Sequence, residues 1–277
     1  MILISWFKTF AQGTDMSNVK RQSLFIGISL KPSQTHIIND GTSSVSKMLS
    51  STRSSVSGSV EFGYFFSRYF GLSSEIGLNS YSTELTLDTY QGNFSATDSE
   101  NEAYEKRVTV SGIKELQKVS YIGIPLYANL RLPLNEKIGF FLQTGVNMEI
   151  PINKSYTSSG SFTYKGYYST YNVLLENLPA FGFPSNLNSN AKGELEVKSM
   201  EFNFIANAGL DYYLLNKVQV ALAAGFERSL SNISGFSSPD KFQLSTDPNK
   251  INSLMGGSTK TIISSFGLKI SFRYYLK

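Results

Sequence analysis

Apolar side chains recur at every second position along most of the chain, and they keep to even numbers. From 137 to 150 the even positions read Ile138, Phe140, Leu142, Thr144, Val146, Met148 and Ile150. The odd positions between them read Gly139, Phe141, Gln143, Gly145, Asn147 and Glu149. The same split recurs over 24–30, 60–66, 72–78, 122–132, 202–212, 218–226 and 262–274. A period of two is the signature of a strand with one greasy face. The segments predict eight antiparallel strands, longer than the ~5–6 residues of an average globular strand.

The spacing between segments sharpens the picture. Tight connections fall near Arg68-Tyr69, 134–137 and 215–217, and long ones near 31–55, 86–113, 153–193 and 231–257. Short turns on one side and long loops on the other are the layout of an outer-membrane barrel. Aromatic pairs crowd the tight-turn ends at Phe65-Phe66, Tyr69-Phe70, Phe140-Phe141, Tyr212-Tyr213 and Tyr274-Tyr275, as an interfacial girdle would. The expected fold class is therefore all-β: an eight-stranded antiparallel transmembrane barrel with short periplasmic turns and four long extracellular loops. A soluble sandwich also alternates, and heat-modifiable mobility of membrane fractions separates the two.

Composition adds limits. Charged residues are 17% of 277, against a usual ~25%. The net charge of +4 comes without a basic run, which excludes nucleic acid as a partner. There is no cysteine and one histidine, His36, so disulfides, thiolate metal sites and histidine-cluster metal sites are not expected. No stretch of ~18 apolar residues exists to form a transmembrane helix. Residues 1–11, with Thr9-Phe10-Ala11 before Gln12, fit the tail of a signal peptide, leaving 12–277 as a single barrel domain.

The run Tyr121-Ile122-Gly123-Ile124-Pro125-Leu126-Tyr127-Ala128-Asn129-Leu130-Arg131 resembles the Y-x-x-I-P-L strand of the Bacteroidetes outer-membrane β-barrel families. These include PorT-like proteins and the outer membrane protein beta-barrel domain. Phe10-Ala11-Gln12 and the closing Phe272-Arg273-Tyr274-Tyr275 are similar to the cleavage site and last strand of those families. Lys277 stands where many outer-membrane proteins end in an aromatic residue. The resemblance implies an integral outer-membrane location and, for PorT-like members, an association with type-nine secretion.

Four places carry candidate chemistry. Inward positions hold Glu61, Glu75, Glu149, Glu201, Asp211 and Glu227 against Arg131, Lys269 and Arg273, read as a structural network filling a narrow lumen. Tyr156, Phe162, Tyr164, Tyr167, Tyr168, Tyr171, Phe181 and Phe183, set among Ser, Thr and Gly, admit two readings: a partner-contact loop, or a segment folded over the barrel mouth or lengthening the strands above the membrane. His36 with Asp40 and the serines Ser33, Ser43 and Ser44 supplies the residue types of a hydrolase, read as an ordinary loop. The acidic run Asp98-Ser99-Glu100-Asn101-Glu102 with Glu105 lacks the glycine of a calcium loop. No catalytic, cofactor or metal residue is assigned. The expected function is a structural or interaction role, with outer-membrane lipid and other envelope proteins as partners. A narrow solute channel and an outer-membrane hydrolase are the alternatives.

Overall fold

The structure is a computed structural model and describes residues 23–41, 48–236 and 241–276. The expectation for residues 1–11 lies outside the described residues. The strands, in chain order, are β1 (Ser23–Gly41), β2 (Leu49–Phe65), β3 (Phe70–Thr97), β4 (Ala103–Pro133), β5 (Ile138–Tyr168), β6 (Val173–Leu175), β7 (Leu187–Glu194), β8 (Glu201–Leu215), β9 (Val218–Ser229), β10 (Ser245–Asp247), β11 (Lys250–Ile251) and β12 (Ser258–Tyr275). Eight of them form a ring in the order β1–β2–β3–β4–β5–β8–β9–β12, and β12 pairs back on β1. Closure satisfies every neighbour's backbone, which lipid could not do.

The even-numbered residues face out. Leu24, Ile28, Val60, Leu72, Leu78, Leu126, Leu210, Leu222, Phe266 and Leu268 are all exposed. Together they make the apolar band that a bilayer covers. The aromatic pairs at the tight turns split between the two faces. Phe66, Phe70, Phe140, Tyr212 and Tyr274 point outward, whereas Phe65, Tyr213 and Tyr275 pack with Phe25 as a floor across the lumen. Pro125 has no N–H to give: the β3–β4 ladder passes from Ser74–Leu126 to Gly77–Gly123 without the rung at 125. The Pro125 carbonyl still accepts from Ser74 Oγ at 2.7 Å.

Three strands continue far beyond the band. β3, β4 and β5 have 28, 31 and 31 residues, so β4 and β5 are each ~100 Å along the chain at ~3.3 Å per residue. Much of what the alternation marks as loop is strand: the expected loop at 86–113 reduces to the turn between Thr97 and Ala103. Above the band the two faces of β3 exchange character. Its inward residues change from Ser73, Glu75 and Asn79 to Tyr81, Leu85 and Leu87, and its outward ones from Leu72, Ile76 and Leu78 to Ser80, Ser82 and Glu84. Two ladder irregularities then shift the phase. One lies between Ser111 and Lys114, where Gly112 takes a φ of 61° that a side chain would resist. The other lies between Ser120 and Tyr121, opposite Ile152. Beyond them the buried residues fall on even numbers: Val108, Val110, Phe162 and Tyr164. The upper half of β5 pairs with β7 and β6 instead of β8, completing an extracellular blade.

Candidate functional site

The lumen is crossed by ion pairs at several heights. Near the short turns, Arg131 grips Asp211 with Nε–Oδ2 at 2.8 Å and Nη2–Oδ1 at 2.7 Å, a two-point geometry that fixes both side chains. The Arg131 guanidinium lies 5.0 Å from the centre of the Tyr213 ring. Higher up, Glu61 takes Arg273 at 2.7 Å and Lys269 at 2.9 Å. Lys269 also pairs with Glu75, and Ser271 donates to Glu61 at 2.7 Å. At the outer end Lys31 pairs with Glu227 at 2.8 Å. Lys31 follows an outward run of Leu24, Ile26, Ile28 and Leu30, and its odd number was the signal that could have placed it inward. The side-chain amides of Asn147 and Asn203 donate to both Glu149 and Glu227. All nine expected lumen residues are buried.

A second, apolar core closes the mouth. Leu85, Leu87, Val108, Val110, Ile113 and Phe162 from the blade bury Leu244, Ile251 and Leu254 of the β9–β12 connection. Beside it Ile37, Tyr81, Val119 and Tyr121 bury Leu195, Val197, Ile233 and Met255. The described part of the connection between β9 and β12 is therefore a cap pulled into the mouth, not a free loop. Glu115 pins it. Its Oε1 accepts from Ser253 Oγ at 2.7 Å and from Gln117 Nε2 at 2.8 Å, and its Oε2 from the Leu254 N–H at 3.0 Å. Burial pushes the Glu115 carboxyl up despite these donors. A raised folded value contributes stability that is fully present below about pH 4.5, the unfolded carboxyl's range, and is lost as pH rises through the raised value. The protection factor of the Leu254 amide is thus expected to be larger at mildly acidic pH than at neutral pH. Glu115→Gln, which keeps an acceptor and removes the charge, should flatten that dependence. An equally steep dependence in the variant would rule Glu115 out as its source.

The expected contact loop divides in two. Phe162, Tyr164 and Phe183 are buried, and Tyr156 is half-buried, its hydroxyl donating to the Ile251 carbonyl at 2.8 Å. These four belong to the blade's packing and cannot meet a partner, because the strands carrying them continue above the band and turn them inward. Tyr167 donates to Asn172 at 2.9 Å and lies beneath Arg107, 4.6 Å from the ring centre. Tyr168 stacks on Tyr104 and donates to Asp98 at 3.0 Å. Phe181 stands free at 74% exposure, and Tyr171, 58% exposed, donates its hydroxyl to Glu102 Oε1 at 2.6 Å; Val173, Leu174, Leu178 and Leu187 nearby in the chain are exposed as well. Asp98 is a turn residue: its Oδ1 accepts from the Glu100 and Glu102 amides, both at 2.9 Å. No cluster of three metal-ligating acids, histidines or cysteines occurs among the described residues.

His36 lies within β1, not in a loop. Its Nε2 is 2.8 Å from Ser50 Oγ, but that hydroxyl donates to the Ile37 carbonyl at 2.7 Å. Among the described residues no carboxylate bonds to the imidazole.

With this geometry in place, the family model of the outer membrane protein beta-barrel domain matches residues 10–235. The chain belongs to that family. The barrel is accordingly an integral outer-membrane protein. Similar solved structures include the Neisserial surface protein A, at 8% identity over 92% of this chain and 99% of that one, with a TM-score of 0.38. The outer membrane protein OprG from Pseudomonas aeruginosa aligns at 14% identity over 92% and 96%, TM-score 0.39. The attachment invasion locus protein of Yersinia pestis aligns at 10% over 92% and 100%, TM-score 0.33. No curated protein matches the chain.

Proposed function

We propose that this outer-membrane barrel is a non-enzymatic structural or interaction component of the cell envelope, working through the tip of its extracellular blade. The observation that carries the reading is the set of exposed apolar side chains at the tip, Tyr171, Val173, Leu174, Leu178, Phe181 and Leu187, carried by an ordered and internally packed blade. Exposed apolar patches on a rigid support mark protein contact sites. The partners proposed are outer-membrane lipid around the band and another envelope protein at the tip, with no nucleic acid. The Tyr121–Arg131 strand and the closing Phe272-Arg273-Tyr274-Tyr275 favour a PorT-like member of Bacteroidetes, and so a place in a secretion assembly. The interaction reading is preferred to the narrow channel because ion pairs cross the lumen and an apolar cap fills its mouth.

A photo-crosslinking side chain at position 181 in intact cells is expected to give one discrete protein adduct, and the same probe at Lys192 none. Phe181→Asp should abolish co-purification of that protein without moving the barrel's unfolding temperature, because the side chain touches no core. Absence of an adduct at 181 would end this reading.

A further inference from the structure

The lumen's charges do not balance, and the imbalance sits in one layer. Glu61, Glu75, Glu149, Glu201, Asp211 and Glu227 face Lys31, Arg131, Lys269 and Arg273. The pairs already described neutralise Glu61, Glu75, Asp211 and Glu227. Glu149 and Glu201 have no cation within ion-pair distance among the described residues, and Lys198 reaches Glu201 only as a distant charge. These two carboxylates stand opposite each other on β5 and β8, and the next inward rung is Asn147 opposite Asn203.

Glu149 accepts from Asn79 Nδ2 at 2.6 Å and the Tyr81 hydroxyl at 2.8 Å as well as from Asn147 and Asn203, whereas Glu201 is set among oxygens that have no partner. Both carboxylate oxygens of Glu201, itself 2% exposed, lack a hydrogen-bond partner. So do the side-chain carbonyl oxygens of Asn147 and Asn203 and the hydroxyl of Tyr121, all buried. Both amides have turned their NH₂ groups to Glu149 and Glu227, which leaves their carbonyls free. A buried carboxylate without a donor or counter-ion is costly. Orphan oxygens of three chemical kinds on adjoining rungs are the donor set of a hard cation, which takes six to eight oxygens.

We propose that Glu149, Glu201, Asn147 and Asn203, with the Tyr121 hydroxyl, form a lumenal binding site for one hard divalent cation of the calcium type. Two uncompensated carboxylates match its charge, and amide carbonyls with no thiol or imidazole match its preference for oxygen. Tyr121 belongs to the same apolar cluster as the wall residues Tyr81 and Val119 and the cap residue Met255, so the ion ties the β5–β8 wall together next to the closed mouth. This inference does not depend on what the blade tip binds.

The test uses the full-length barrel in detergent micelles, refolded with and without Ca²⁺ and then dialysed against metal-free buffer. Elemental analysis is expected to find one calcium per chain in the wild type. Calcium at a hundredfold excess over its Kd should raise the unfolding temperature by roughly 5–10 °C. Glu201→Gln, similar in shape and uncharged, should fold, bind no calcium and lose the calcium-dependent shift. Wild-type protein with no retained calcium and an unfolding temperature indifferent to Ca²⁺ would overturn the site and leave protons as the neutralising charge. Calcium retained equally by Glu201→Gln would also overturn it.

Discussion

Lys269→Met is expected to cost the barrel about 3–5 kcal/mol, the range for removing one partner of a buried ion pair. Lys269 is 3% exposed and holds Glu61 at 2.9 Å together with Glu75. Without it Glu61 keeps Arg273 and the Ser271 hydroxyl, but Glu75 keeps only the Ser59 hydroxyl at 2.7 Å. A buried carboxylate with one neutral donor is the uncompensated charge that makes such deletions expensive. The readout is the temperature at which the compact, SDS-resistant form converts to the extended one, which should fall by roughly 10 °C or more. Lys269→Met with Glu75→Gln removes both partners and should recover much of the loss. If Lys269→Met melts like the wild type, lumen water supplies the compensation and the ion pairs do not hold the wall.

Leu254→Asp should open the mouth while leaving the barrel intact. Leu254 is 0% exposed, packed within the apolar core formed by blade and cap, and its amide donates to Glu115. Removing the leucine alone costs about 2–5 kcal/mol. The new carboxylate adds its own desolvation and repulsion from Glu115. The cap's attachment is small beside the ring of long ladders, so the damage stays local. Residues 241–257 should become a site of rapid proteolytic cleavage, with the same SDS-resistant mobility before heating. Wild-type protease resistance in Leu254→Asp would mean that the ladders beside the cap, and not its burial, hold it in place.

The barrel was legible because lipid enforces one rule on every strand it touches. Between Leu24 and Leu30, or Ile138 and Ile150, outward must be apolar, and the inward side is left polar, so the sequence carries the period openly. The blade obeys the opposite rule. In water the outward side is polar and the strands bury Leu85, Leu87 and Val110 against the cap. The phase slips at Gly112 and opposite Ile152 break the numbering further. An alternation sought with one polarity and one parity therefore stops at the membrane surface, and 86–113 reads as loop. The inward acids and bases were legible from parity alone. Which acid meets which base was not, because Glu61 and Arg273 are 212 positions apart and meet only when the ring closes. The tyrosines of 156–168 left two readings open, because an aromatic run among serines looks alike whether its strand stands free or packs on a cap.

The continuity of β3, β4 and β5 through the membrane surface has a consequence for how anything could dock on the tip. A binding loop gives up conformational freedom when its partner arrives, and that loss is subtracted from the affinity. Here the residues below Tyr171 and Phe181 are already fixed by ladders that continue, through the two bulges, into the bilayer. Little ordering remains to be done on arrival. The direction in which the tip faces is set relative to the cell surface as soon as the ring is sealed, so a partner has to come from that side.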